Sequence, residues 1–195
     1  MLKNDKLYPP TDISLLEFGF PKSWKKISPR KSLLELYNAY ELYRIFLLPS
    51  FSSPIWITIG KAKTGELFLE ILTEEGENYY FTISLYSFLS FKIKLLFFRI
   101  WEFRPIGMFL IDGIGYWFEF LTDSKYNFVG YGYEQKLSRY KIVFGLFLKI
   151  LVKKLTQEAK KGTLPKSCLV IFKDMVEGYE LPFLKKLKKI GNILL

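Results

Sequence analysis

The chain has 195 residues, half of them hydrophobic and 18% aromatic, and a formal net charge of +10. So much apolar surface excludes a disordered chain, and the length favours one domain spanning 1–195, with an irregular lead-in rich in Pro and Lys at 1–31. The chain has no histidine and one cysteine, which excludes Ser-His-Asp and Cys-His catalysis and zinc sites built on imidazole or four thiolates. Carboxylate, Lys, Tyr and oxygen-ligand metal chemistry remain open, but no recognisable catalytic motif points to them, and we expect no enzymatic activity, no metal and no other cofactor.

The compartment is predicted from charge and cysteine content. The longest apolar stretch, 85–111, contains five charged residues, whereas a membrane-spanning helix needs about 20 mostly apolar residues. The first residues lack the apolar segment of a secretory signal. The lone Cys168 is interpreted as a small buried hydrophobe. Together these features predict a soluble protein of the cytoplasm.

The first predicted element is a helix over 32–48. Ser32 and Glu35 have the spacing of a capping box, and Pro49 ends the segment. The residues that would share one helical face are Leu33, Leu36, Tyr40, Tyr43 and Leu47. This spacing favours an amphipathic helix.

From Ile55 the apolar period changes to two, which predicts strands. Leu67, Leu69 and Ile71 are expected to face the core beside Tyr79, Phe81 and Ile83 on an adjacent strand. The runs 79–85, 91–97, 116–120 and 126–133 alternate in the same way, and turn signals such as Asp112-Gly113 separate them. We predict about six sequential antiparallel strands.

The helical period returns after Ser138. A helix over 139–161 is predicted to bury one face, with Lys149, Lys153 and Lys160 to one side of it. A short strand at 168–172 and a basic helix at 183–190 follow. The fold class is therefore α+β: a meandering antiparallel sheet of about six strands packed against an N-terminal helix and a basic C-terminal helix.

Two acidic residues, Asp112 and Glu119, lie near the centre of the predicted sheet, and paired carboxylates can perform acid–base chemistry. However, Asp-Gly is a hairpin signal in its own right, and seven residues along a turning strand set no distance between the two groups. A structural role is favoured over a catalytic one.

The last third of the chain is basic. Residues 141–195 contain twelve lysines, four acidic residues and no arginine, and this surplus is either an anion-binding surface or a solvated face. The lack of arginine makes nucleic acid a less favoured partner. The candidate anion-binding residues are Lys149, Lys153, Lys160, Lys185, Lys186, Lys188 and Lys189.

Aromatic residues in the strands are candidates for contact with a protein partner, because Tyr and Trp offer large area and few rotors. The candidates are Trp117, Tyr126, Tyr131 and Tyr133. The alternative is ordinary core packing.

The segment Ile111-Asp112-Gly113-Ile114-Gly115-Tyr116-Trp117-Phe118-Glu119, with Tyr126 and the apolar helix 142–152, resembles a pattern in uncharacterised bacterial cytoplasmic proteins. Some of these look like immunity proteins, which bind and silence a cognate secreted toxin. The resemblance covers about 110–152 and implies a protein-binding module that neutralises a toxin. The alternative function is a peripheral protein that binds an anionic membrane surface or nucleic acid through its basic C-terminal third. No small-molecule substrate is indicated.

Overall fold

The computed structural model describes residues 31–49, 55–73, 77–103, 114–131 and 139–165, together with Cys168. Its internal contacts divide the chain into two units, 1–143 and 144–195. The elements are α1 (Lys31–Leu36), β1 (Ala39–Pro49), β2 (Ile55–Ala62), β3 (Leu67–Thr73), β4 (Asn78–Thr82), α2 (Leu85–Phe97), a 3-10 helix (Ile100–Glu102), β5 (Ile114–Thr122), β6 (Tyr126–Tyr131) and α3 (Arg139–Lys160).

The strands form one open sheet in the order β4-β3-β2-β1-β5-β6. All five pairings are antiparallel. The first four strands meander outward from β1, and the chain then returns through α2 to place β5 on the other side of β1. The prediction of an α+β fold with a six-stranded antiparallel sheet is confirmed for the described residues.

The predicted helix 32–48 is wrong beyond its first turn and a half. The helix stops at Leu36, and Asn38 takes a positive φ of 45°, a conformation that Asn tolerates at a helix end. The chain then runs as β1, the central strand, between β2 and β5. Both faces of a central covered strand are apolar, so its sequence lacks the alternation that distinguishes a strand from a buried helix.

The predicted strand 91–97 is also wrong, because these residues belong to helix α2. Phe91 and Leu95 point into the core, whereas Ile93 and Phe97 are exposed. Apolar residues on two sides of one helix produced the alternation that indicated a strand. The predicted strand 79–85 likewise ends at Thr82.

The two faces of the sheet differ in what covers them within the first unit. On one, the α2 face, Tyr43 contacts Phe88 and Phe91 of α2, with ring centroids 6.4 and 5.8 Å apart. After the 3-10 helix, Phe103 packs on the same face, 6.1 Å from Phe118. The expectation that Leu69 and Ile71 share a face with Phe81 and Tyr79 on an adjacent antiparallel strand is confirmed, because Leu69 pairs with Phe81 and Ile71 with Tyr79.

On the other, the α1 face, Leu33 and Leu34 join a buried cluster with Leu42, Phe68 and Leu121. Gly60 lies between Leu42 and Phe68 on the neighbouring strands. A Cβ at residue 60 would lie 2.6 Å from Phe68 Cζ and 2.8 Å from Leu42 Cδ2. The glycine therefore provides the space that these two side chains fill.

Helix α3 crosses the boundary between the two units. At its start, the Tyr140 ring packs 4.2 Å from Phe103. In the second unit one face of the helix is buried, as its spacing predicted, by the residues Phe144, Phe147, Leu148, Leu151 and Leu155. Cys168 is buried, as predicted, but has helical rather than strand conformation. The predicted helix 183–190 and the remainder of the strand at 168–172 lie outside the described residues.

Candidate functional site

Helix α2 is attached to the α2 face of the sheet by an apolar inner side. The Ser84 hydroxyl accepts a hydrogen bond from the Ser87 amide and caps the first turn, which satisfies one of the amides that a helix start leaves open. The buried residues Phe88, Phe91 and Leu95 follow one another at spacings of three and four. They form a single row along the helix, which we call the inner row.

An ion pair adds a polar attachment at the edge of the inner row. Lys92 Nζ lies 2.6 Å from Glu41 Oε2, and the Tyr43 hydroxyl donates to the same carboxylate atom at 2.6 Å. Burial raises the pKa of Tyr43 above its ordinary range, and the neighbouring Glu41 carboxylate adds to that rise. The Tyr43 hydroxyl therefore keeps its proton, and β1 holds α2 in one rotational setting.

The outer side of α2 carries a second apolar row. Of the nine large hydrophobic residues that are exposed in the described part of the chain, six lie on this helix. We call them the outer stripe: Leu85, Tyr86, Leu89, Ile93, Leu96 and Phe97. Tyr86 and Phe97 are each 78% exposed and Ile93 is 65% exposed. Single exposed apolar residues are ordinary, but a continuous row of them marks a contact surface.

The spacing within the outer stripe is regular. Tyr86, Leu89, Ile93 and Leu96 are separated by three, four and three residues, which keeps them on one side of a helix with 3.6 residues per turn. A helix that is apolar on both sides is normally covered on both sides. In the described residues only the inner row of α2 is covered, and the outer stripe is left for another surface.

A buried row of charges crosses the α1 face. Arg44 Nη1 donates to Glu119 Oε2 at 2.8 Å, and both side chains are fully buried. Arg44 Nε donates to Thr58 Oγ1 at 3.2 Å, and its guanidinium carbon lies 4.1 Å from the centre of the Trp56 ring. Tyr126 donates to the other Glu119 oxygen at 3.4 Å.

The same row continues to Glu70 on β3, which faces Thr58. Glu70 accepts hydrogen bonds from the Tyr37 hydroxyl and, at 2.8 Å, from Asn78 Nδ2. Burial raises the pKa of Tyr37 above its ordinary range, and the neighbouring Arg44 guanidinium partly opposes that shift. Arg44, Glu70 and Glu119 are buried and bond to their neighbours, so the row serves the fold. Glu119 has the structural role that the sequence favoured, and Asp112 lies outside the described residues.

The basic face of α3 is a second exposed surface. Lys149, Lys153 and Lys160 are all exposed, and their spacings of four and seven residues place them along one side of the helix. Lys154, by contrast, is mostly buried and lies 2.6 Å from Glu158. The predicted lysine face therefore exists over 149–160. The four candidates Lys185, Lys186, Lys188 and Lys189 lie outside the described residues.

The aromatic residues predicted to contact a partner do not form one exposed patch. Trp117 is 2% exposed and packs 5.2 Å from Phe46, so its prediction as a surface contact is wrong. Tyr126 is partly buried against the α1-side cluster. Tyr131 pairs with Tyr116 at the outer end of β6, and Tyr133 lies outside the described residues. A strand between two packed layers buries its aromatic residues on both faces, which is why alternation alone did not predict exposure.

The outer stripe was missed because 91–97 was interpreted as strand. A signal was available: Ser84 followed by Ser87 is a helix start, and the 3-4-3 spacing begins directly after it. Within the described ranges, no helix combines the length and apolar character needed to cross a bilayer. In the same part of the chain, no three acidic or cysteine side chains are grouped so that they could hold a metal ion.

No protein-family model and no curated sequence matches the chain.

Proposed function

We propose that this protein is a protein-binding module and that the outer stripe of α2 is its binding surface. The observation that carries the proposal is the exposure of six large apolar side chains in one row on a helix whose other side is held to the sheet. Fully burying one such side chain stabilises by about 1.5–3 kcal/mol, and a few well-packed central contacts carry most of the binding energy of a typical interface.

The position of α2 makes the stripe a rigid binding surface. The inner row and the Lys92–Glu41 ion pair hold the helix before a partner arrives. A preformed helix loses little conformational entropy on binding, and this favours affinity. The aromatic rings of Tyr86 and Phe97 stand near the two ends of the stripe and are suited to anchor it, because aromatic side chains combine large area with few rotors.

The specific form of the proposal is an immunity protein that neutralises a bacterial toxin in the cytoplasm. This form is supported by the resemblance of residues 110–152 to immunity-like proteins. The net charge of +10 supports an acidic partner, because opposite charges speed the encounter of two proteins.

The test places a photo-crosslinking amino acid at Leu89 in the full-length protein, with Thr64 in the exposed β2–β3 turn as the control position. A partner should be captured from cells of the source organism at Leu89 and not at Thr64. The capture should be lost in the Ile93→Glu variant. The captured protein, expressed alone, should arrest bacterial growth. Co-expression of the wild-type 195-residue protein should restore growth, and co-expression of its Ile93→Glu variant should not.

Each part of the proposal has its own contradicting result. Equal capture at Leu89 and Thr64, or capture unchanged by Ile93→Glu, would show that the outer stripe is not the binding surface. A specific partner that is harmless when expressed alone would leave the binding module standing and reject the toxin-neutralising role.

The lysine face of α3 supports a second candidate, attachment to an anionic membrane surface or nucleic acid. Lys149, Lys153 and Lys160 extend over about 16 Å of helix at 1.5 Å per residue and are exposed. Such binding should weaken steeply between 50 and 200 mM salt, as contacts to phosphate do. The test compares the wild type with a variant carrying Gln at these three positions, on phosphatidylglycerol vesicles and on duplex DNA. Equal, weak binding by both proteins would reject this candidate.

A further inference from the structure

The outer stripe has the spacing of a helix-packing seam. Tyr86, Leu89, Ile93 and Leu96 occupy the a, d, a and d positions of two successive heptads, and Leu85 and Phe97 stand at the flanking g and e positions. This repeat presents each apolar side chain to the gap between two side chains of a facing helix. The seam is about 16 Å long from Tyr86 to Phe97, at 1.5 Å per residue.

The flank of this seam is basic. Lys94 is exposed at a b position, turned about 100° around the helix from Ile93, and makes no ion pair among the residues that the structure describes. Lys92, at a g position, remains 35% exposed while it pairs with Glu41. Arg99, just past the end of α2, is 67% exposed beside Glu102. Glu41 and Glu102 offset the charges of Lys92 and Arg99, so the uncompensated positive charge on this flank of the seam is that of Lys94.

The same charges disfavour a second copy of this chain as the occupant. Two copies related by a two-fold axis would bring identical surfaces together, so Lys92 and Lys94 of each would approach lysines of the other. Each molecule also carries a net charge of +10. Like charges facing each other across an interface cost affinity.

We propose that the outer stripe of α2 binds an amphipathic α-helix of a partner protein, one that carries acidic residues beside its apolar row. This inference rests on the proposed protein-binding function and names the element that the partner contributes. The two helices pack with a crossing angle of about 20°, the angle that i±3 ridges in i±4 grooves produce. Acidic side chains of the partner pair with Lys94 at the edge, and affinity comes from Leu89 and Ile93 at the centre.

The probes for this proposal are three synthetic peptides of 21 residues, each labelled with fluorescein at its N-terminus. The first has Leu at every a and d position and Glu at every e and g position. The second replaces Glu by Lys, and the third keeps Glu but replaces Leu by Ser. Binding to the full-length protein is measured by fluorescence anisotropy at 150 mM salt.

The acidic Leu peptide should bind, and the other two should bind at least tenfold more weakly. Ile93→Glu should reduce binding of the acidic peptide at least tenfold, and Lys94→Glu should reduce it while improving binding of the basic peptide. Two controls lie in the exposed β2–β3 turn: Thr64→Glu matches the charge change of Ile93→Glu, and Lys63→Glu matches that of Lys94→Glu. Both should bind the acidic peptide within twofold of the wild-type affinity. Circular dichroism of each variant checks that the fold is kept, as expected at exposed positions.

Each of the following results would overturn the proposal. Absence of binding by the acidic Leu peptide would exclude an acidic helix as occupant, and binding unaffected by Ile93→Glu would place that peptide elsewhere on the protein. A concentration-dependent dimer in sedimentation that Ile93→Glu dissolves would make a second copy the occupant. Association with phosphatidylglycerol vesicles that Ile93→Glu abolishes would make a membrane the occupant. Peptides that fail while Leu89 still cross-links a specific partner would reject the acidic helix and keep the protein-binding function.

Discussion

Arg44 and Glu119 form a fully buried ion pair across two neighbouring inner strands of the sheet. They occupy facing positions on β1 and β5, with 2.8 Å between Arg44 Nη1 and Glu119 Oε2. Removing two charges from water is costly, and the cost is offset only where the geometry is good and the remaining donors are satisfied. Here Thr58 accepts from Arg44, and the Trp56 ring lies against its guanidinium.

Breaking this pair should destabilise the protein more than replacing it. Glu119→Gln leaves the Arg44 charge buried without its carboxylate, and the free energy of unfolding should fall by about 3–5 kcal/mol. The double variant Arg44→Met/Glu119→Leu removes both charges and should lose far less than the two single variants together. Urea unfolding of the wild type, Arg44→Met, Glu119→Leu and the double variant measures the coupling, and Glu119→Gln is measured beside them. A loss below about 1 kcal/mol for Glu119→Gln would contradict the buried pair.

The Gly60 position allows no side chain. In Gly60→Ala the new Cβ would lie under 3 Å from atoms of Phe68 and Leu42. The Phe68 ring cannot turn aside at low cost, because it is stacked with Tyr37 at 5.9 Å and with Tyr80 at 5.2 Å. Overpacking of this kind costs about 1–3 kcal/mol. Gly65→Ala, in the open β2–β3 turn, serves as a comparison in which only backbone strain at φ +91° changes.

The two sides of α2 should respond oppositely to truncation. Phe91 is 2% exposed, and Phe91→Ala should cost about 3–5 kcal/mol through lost transfer and a cavity. Ile93, two residues on, is 65% exposed, and Ile93→Ala should change stability by less than about 0.5 kcal/mol. Chemical denaturation of both variants checks the assignment. Similar losses for the two would mean that the outer stripe is covered in solution.

The buried face of α3 can be tested in the same way. Leu148 is 1% exposed, and Leu148→Ala should lower the free energy of unfolding by about 2–5 kcal/mol. Lys149→Ala, at the neighbouring exposed position, is the matched control and should change it by less than about 0.5 kcal/mol. A loss for Leu148→Ala as small as that of the control would show that the helix face was assigned wrongly.

Glu158 should make the end of α3 sensitive to acid. Hydrogen bonds from Lys154 and Thr163 lower the pKa of Glu158 to about 2. Because this pKa lies below the unfolded value, the stabilisation is complete above about pH 4.5 and is lost as pH falls towards 2. Carboxyl chemical shifts in a pH titration by NMR report the value directly. Lys154→Met should raise it, and an unchanged midpoint in that variant would contradict the assignment.

The sequence predicted the β2–β3 and β3–β4 hairpins because each has one clear alternating row and a short turn signal. Lys63-Thr64-Gly65 supplies the positive φ at Gly65 that the first turn uses. The buried face of α3 was predicted for a similar reason, since Leu148, Leu151 and Leu155 recur at helical spacing with lysines on the other side. Where one face is apolar and the other polar, the period of the sequence is the period of the structure.

The tertiary structure decided the identities of β1 and α2, although for α2 the start signal at Ser84 was present in the sequence. Residues 39–49 place large apolar side chains on both faces because β1 lies inside the sheet. Glu41 and Arg44 lie on opposite faces and mark neither as polar, so the segment does not distinguish a buried strand from a buried helix. Residues 85–97 are apolar on two sides because α2 has both an inner row and an outer stripe, and those two rows together imitate the alternation of a strand. The sequence alone determined how much apolar surface each segment carries. Only the tertiary structure decided which part of that apolar surface is covered by the chain's own residues. In α2 the inner row is covered, and the outer stripe is exposed.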